Sequence, residues 1–187
     1  MRFTIPNVLS LLRMGLVPLF IIELIDGRSR HALLIFLAAG ITDALDGFIA
    51  RFAHQQSLLG AYLDPIADKL LLTSAYVTLS IPSLNHGAPI PLWVTVLVLA
   101  RDLLMVVMAL ILHLAAGVRR FPPTILGKVN TAVQVTAVLA VLVSALWPQI
   151  EPVASTLLYA VALLTLASGI DYIFRASRLQ VQTPPAE

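Results

Sequence analysis

The sequence predicts an all-α integral-membrane protein of six transmembrane helices, and three observations carry that prediction. Of 187 residues, 59% are hydrophobic and only 12% are charged, whereas an ordinary soluble domain is about a quarter charged. The mean hydropathy is +0.92. The apolar residues also gather into six stretches, each long enough or nearly so to cross about 30 Å of hydrocarbon. The formal net charge of +2 is too small to suggest nucleic-acid binding, and the absence of cysteine excludes disulfides and thiolate metal sites.

The six stretches cover 8–25, 31–52, 60–81, 91–114, 125–147 and 153–174. Helix breakers separate them: Asp26-Gly27, Ile81-Pro82 through Pro91, Phe121-Pro122-Pro123, and Trp147-Pro148 to Pro152. The N-terminal run MRFTIPNVLSLLRMGLVPLFIIELI resembles a signal peptide, but Arg13 interrupts it and no small-residue cleavage site follows. It is expected to remain as the first helix. One membrane domain is expected over 1–178, with a disordered tail over 179–187.

Basic residues orient the bundle. With the N-terminus in the cytoplasm, Arg2, Arg51, Arg119, Arg120, Lys128, Arg175 and Arg178 fall on or near the inner side, and so does the C-terminus. The loops at 82–90 and 148–152 then face out and contain no Lys or Arg. Trp93 and Trp147 fall near the outer interface, as an aromatic belt requires. Arg28 and Arg30 break the rule, although Asp26 sits beside them.

Against this apolar background stand Asp43, Asp46, Asp64 and Asp68. A carboxylate at membrane depth is expensive and normally faces a polar cavity with a function. Asp43 and Asp46 share one helix face, as do Asp64 and Asp68. The expected topology brings both pairs to the inner ends of an antiparallel helix pair, at one depth near the cytoplasmic face. All-oxygen ligands without His or Cys suit Mg²⁺ or Mn²⁺. Crowded carboxylates would repel unless cations neutralised them, and paired metals are a standard arrangement for displacement at phosphorus. The competing reading is a set of interhelical polar contacts to Lys69, Arg101 or Arg51.

The segment reads DALDGFIAR from Asp43, then eight residues, then GAYLDPIAD ending at Asp68. This D-x-x-D-G-x-x-A-R and G-x-x-x-D-x-x-x-D pattern resembles the signature of the CDP-alcohol phosphotransferases, integral-membrane enzymes of phospholipid synthesis. The resemblance extends from IPNVLSLLR to GKVNTAVQ, nearly the whole chain. It implies that Asp46, Gly47, Ala50, Arg51 and Gly60 border the cytidine and diphosphate site. It implies two ions, one on Asp43, Asp46 and Asp64 and the other on Asp43, Asp64 and Asp68. Asp68 would also be the catalytic base toward an acceptor hydroxyl, with CMP expelled. It further implies a homodimer in a bacterial inner membrane, its site facing the cytoplasm.

Other polar residues are more ambiguous. Asn7, Ser10 and Arg13 share a face that resembles the family's N-terminal segment, or that equally serves as a helix cap with lipid-headgroup contact. Arg101-Asp102 is a structural pair or part of an acceptor cavity. Arg119, Arg120 and Lys128 bind an acceptor phosphate or are plain positive-inside charge. His31, His54, His86 and His113 show no ligand spacing.

The N-terminal segment and six-helix layout resemble the branch that uses CDP-diacylglycerol as donor. Arg101-Asp102 with KVNTAVQ resembles enzymes whose acceptor is phosphatidylglycerol and whose product is cardiolipin. Glycerol 3-phosphate, giving phosphatidylglycerol phosphate, is the alternative acceptor; Ala109 stands where a second Arg would serve it. A divalent-cation channel or transporter lined by the same Asp residues is the reading of a different class. It leaves Gly47, Arg51 and Gly60 at fixed offsets unexplained.

Overall fold

The computed structural model describes the backbone of residues 5–52, 58–116 and 125–180, and the side-chain surroundings of 8–43, 66–108 and 125–174. Among the described residues it has six α-helices: α1 (Ile5–Ile25), α2 (Ser29–Phe52), α3 (Leu58–Leu79), α4 (Leu92–Ala116), α5 (Ile125–Ser144) and α6 (Glu151–Gln180). No strand occurs among the described residues. Each helix lies on one of the six apolar stretches. Three segments among the described residues are long and apolar enough to cross a membrane: Val8–Ile25, Ile125–Ser144 and Pro148–Phe174.

The helix ends follow local chemistry. Gly27 takes φ +72, and the amides of Gly27 and Arg28 donate to the carbonyls of Leu24 and Glu23 at 3.0 and 2.8 Å. That pair of bonds is a Schellman stop, which satisfies carbonyls the helix leaves unpaired. α5 ends at Ser144, short of the expected 147, because Pro148 disfavours helical geometry in the residue before it. Trp147 is accordingly extended, and Pro148–Ile150 form a single 3₁₀ turn. α6 then runs on to Gln180, past the start of the expected tail. The rest of that tail, 181–187, lies outside the described residues.

The chain forms two compact units: Met1–Ile90 with Val138–Ser155, and Pro91–Ala137 with Thr156–Glu187. In the first, α1 packs against both α2 and α3. Phe20 and Phe36 stack tilted with centroids 5.8 Å apart, and Ala32, Ala39, Ala67, Ala75 and Tyr76 are fully or almost fully buried. Small residues let helices approach closely, which supplies packing where lipid gives no hydrophobic drive. The connection after α3 is held by Asn85, whose Nδ2 donates to the carbonyls of Leu79 and Ala88 at 2.8 and 2.9 Å. The Ala88 amide donates to Ser144 Oγ at 2.8 Å. A Cβ on Gly87 would lie 2.3 Å from the Val141 carbonyl oxygen, so only glycine permits this approach.

In both units large apolar side chains face outward, and several polar ones are buried within a mainly apolar core. Leu11, Leu12, Leu19, Ile22, Val96, Leu103, Leu163 and Ile170 are exposed, while Ser10, Arg13, Arg101, Asn130, Gln134 and Ser168 are buried. Apolar-out, polar-in is the arrangement that lipid as solvent demands. Hydroxyls along the helices return to their own backbone: Thr78 donates to Ser74 at 2.6 Å, Thr131 to Gly127 at 3.1 Å and Thr136 to Ala132 at 2.8 Å. Each such bond satisfies a donor that hydrocarbon could not.

The loop that broke the charge rule is locally neutralised. Arg28 donates to Asp26 at 2.5 Å and to Glu23 at 3.3 Å, and His31 Nδ1 lies 3.1 Å from Glu23. Trp93 and Trp147 are both exposed.

Candidate active site

The described part of the site lies within the first unit, where three helices bring one cation and two carboxylates together. Arg13 on α1 is fully buried. Its Nη1 lies 2.8 Å from Asp43 Oδ1 on α2 and in close contact with Asp68 Oδ1 on α3. The two aspartates are far less enclosed, with 47% and 45% of their side-chain surface exposed. Ser10, one turn before Arg13, is also fully buried, so this face of α1 points inward while Leu11 and Leu12 point out.

Asp43 and Asp68 thus converge, as the motif requires. α2 also carries Asp46, Gly47, Ala50 and Arg51, and α3 carries Gly60 and Asp64. The side chains of all six lie outside the described residues, as do those of Asn7, Ala109, Arg119 and Arg120. Among the described residues no three His, Cys, Asp or Glu side chains converge as a metal site.

Arg101 belongs to the second unit. It is buried, its Nη1 donates to Asp102 Oδ1 at 2.8 Å and its Nε donates to Ser168 Oγ at 3.1 Å. Ser168 in turn donates to the Thr165 carbonyl at 3.1 Å, and Thr165 Oγ1 donates to Asn130 Oδ1 at 3.2 Å. Lys128, on α5 of the same unit, is exposed.

The residue that sequence reasoning undervalued is Arg13. Full burial removes headgroup contact as its role. The available signal was a charged residue three positions after Ser10 on one face of an otherwise apolar helix. Its partners were not legible, because they lie on two other helices.

The donor set fits a hard divalent cation. Two carboxylates, presented by separate helices, already share one positive charge and each keeps nearly half its surface open. Hard oxygen ligands of this kind are those Mg²⁺ and Mn²⁺ take.

Fold and site together define an integral-membrane, all-helical protein with an acidic cluster where its helices meet. Residues 3–168 match the model of the CDP-alcohol phosphatidyltransferase family. The chain belongs to that family. It is similar to a human cardiolipin synthase (CMP-forming), 34% identical over 96% of this chain and 64% of the relative. It is also similar to a probable phosphatidylglycerophosphate synthase of Mycobacterium tuberculosis H37Rv, 38% identical over 92% of this chain and 81% of the relative. A Shigella flexneri CDP-diacylglycerol–glycerol-3-phosphate 3-phosphatidyltransferase is 34% identical over 94% and 96% of the two chains. The chain spans just under two thirds of the length of the human protein, at 64%.

Proposed function

We propose that this protein transfers a phosphatidyl group from CDP-diacylglycerol to phosphatidylglycerol, forming cardiolipin and releasing CMP. The observation that carries the reaction class is the convergence of Asp43 and Asp68 on one cation at the family's motif. Six membrane crossings, both termini on the cytoplasmic side, a cytoplasm-facing site and a homodimer complete the reading, on the strength of the basic-residue distribution and the family.

Asp43, Asp46 and Asp64 would hold one divalent ion, and Asp43, Asp64 and Asp68 the other. Bound there, the ions supply positive charge against the donor's diphosphate. Gly47, Ala50 and Gly60 present little side chain, leaving room for the cytidine and diphosphate, and Arg51 offers a planar fork of donors to the phosphates. Asp68 takes the proton of the acceptor hydroxyl. That oxygen forms a bond to the β-phosphorus, the bond from phosphorus to the CMP oxygen breaks, and CMP leaves with the electron pair. The chain's contribution is chiefly alignment of hydroxyl, phosphorus and leaving group.

The choice of acceptor rests on Arg101. Two of its nitrogens are engaged by Asp102 and Ser168 inside the second unit, which weakens its claim to a soluble phosphate. Phosphatidylglycerol needs no such cation, since it arrives from the bilayer with only its headgroup hydroxyl presented. The second reading is glycerol 3-phosphate as acceptor, favoured by the similarity to phosphatidylglycerophosphate synthases and by exposed Lys128. Purified protein with CDP-diacylglycerol, Mg²⁺ or Mn²⁺ and each acceptor in turn, followed by lipid mass spectrometry, decides between them. Cardiolipin with little phosphatidylglycerol phosphate is expected; the reverse overturns the acceptor and leaves the reaction class standing.

A further inference from the structure

The mechanism above gives Arg13 no task, yet it is fully buried beside Asp43 and Asp68. We propose that Arg13 is a built-in counter-cation of the metal-free site: a positioning residue that occupies Asp43 and Asp68 until divalent ions displace it. The proposal rests on the reading of those two aspartates as metal ligands.

Three features of the first unit carry it. The same nitrogen, Nη1, contacts Oδ1 of Asp43 and Oδ1 of Asp68, so one point charge bridges two helices much as an ion would. The guanidinium reaches them from the enclosed side, while the carboxylates stay nearly half open. An incoming ion therefore has access to the atoms Arg13 holds. Finally, the pairing offsets two costs when no ion is present. A buried guanidinium without a carboxylate is strongly unfavourable, and two converging carboxylates without a cation repel.

Competition for the same oxygens makes the effect reciprocal. Whatever Arg13 contributes to holding α2 and α3 together in the empty site, it subtracts from the affinity of that site for metal. The device keeps the carboxylates gathered and ready while lowering the cation affinity of the unloaded enzyme. A residue that served only as packing would not act on metal affinity in this direction. One that contacted only the donor's diphosphate would not act on it when nucleotide is absent.

The test uses the full-length protein in detergent, with Mn²⁺ binding followed by the paramagnetic resonance of the free ion and with no nucleotide present. Arg13→Gln should bind Mn²⁺ about tenfold more tightly than the parent, the scale of a lost charge-assisted contact. Arg13→Lys, which keeps the charge without the fork, should fall between them. In chelator, Arg13→Gln should unfold at a lower temperature than the parent, and added Mn²⁺ should close the gap. Unchanged or weakened Mn²⁺ affinity in Arg13→Gln overturns the proposal. So does a variant that is unfolded in chelator and is not restored by Mn²⁺. Asp43→Asn and Asp68→Asn are the controls: if the parent binds Mn²⁺ no better than they do, the metal reading itself falls and takes this proposal with it.

Discussion

Among the described residues, two buried arginines sit in apolar helices, and their surroundings differ. Arg101 pairs with Asp102, its neighbour in sequence, and both side chains are enclosed, 5% and 14% exposed. Arg13 pairs with aspartates from two other helices, and those keep 47% and 45% of their side-chain surface open. The first cluster is balanced, one charge against one, and its guanidinium also bonds to Ser168. Among the described residues, the second sets one guanidinium against two carboxylates from separate helices. A balanced, enclosed pair answers the cost of burying charge. Carboxylates that stay nearly half open keep oxygen atoms accessible to a ligand.

Substitutions should expose that difference. The largest effect is expected at the open cluster. Asp68→Asn should lower kcat by roughly a hundredfold or more, the scale of a lost general base. Asp43→Asn should abolish turnover together with Mn²⁺ binding. CMP release from CDP-diacylglycerol measures both, and near-parental kcat in Asp68→Asn would remove it from the role of base.

The enclosed cluster should respond in stability. Arg101→Leu alone removes the cation beside Asp102 and should cost about 3–5 kcal/mol. Arg101→Leu with Asp102→Leu should recover most of that loss, because neither charge then remains to be buried. Thermal unfolding in detergent reads the difference. A double variant that is folded but inactive would move Arg101 into the acceptor site and sharpen the contrast with Arg13 into a different one.

Smaller effects lie away from both clusters. Gly87→Ala would force a Cβ to within 2.3 Å of the Val141 carbonyl oxygen, and overpacking of this kind costs about 1–3 kcal/mol. Gly27→Ala places a side chain at φ +72, a penalty of roughly 1 kcal/mol. Neither should alter metal affinity. A change in Mn²⁺ binding in either variant would mean that the carboxylate cluster depends on parts of the first unit remote from its ligands.

The helices were legible in the sequence because their determinants are local. Apolar length marks each span, and Asp26-Gly27, Ile81-Pro82 and Trp147-Pro148 mark where spans stop, through backbone preferences that need no distant partner. The acidic motif was legible too, since its spacing places Asp43 on one helix and Asp68 on the next. Arg13 shows where such reading ends. Its charge and its register with Ser10 are visible in the chain, but they allow a headgroup contact as readily as an ion pair. The bond from Arg101 Nε to Ser168, on a helix far along the chain, was likewise not legible in the sequence. By itself, then, the sequence determined the helices, the breaks between them, the family and the acidic residues, because hydropathy, turn chemistry and motif spacing act over a few positions. Only the tertiary structure decided which arginine meets which carboxylate and which cluster stays open, because those outcomes depend on which helix faces pack together.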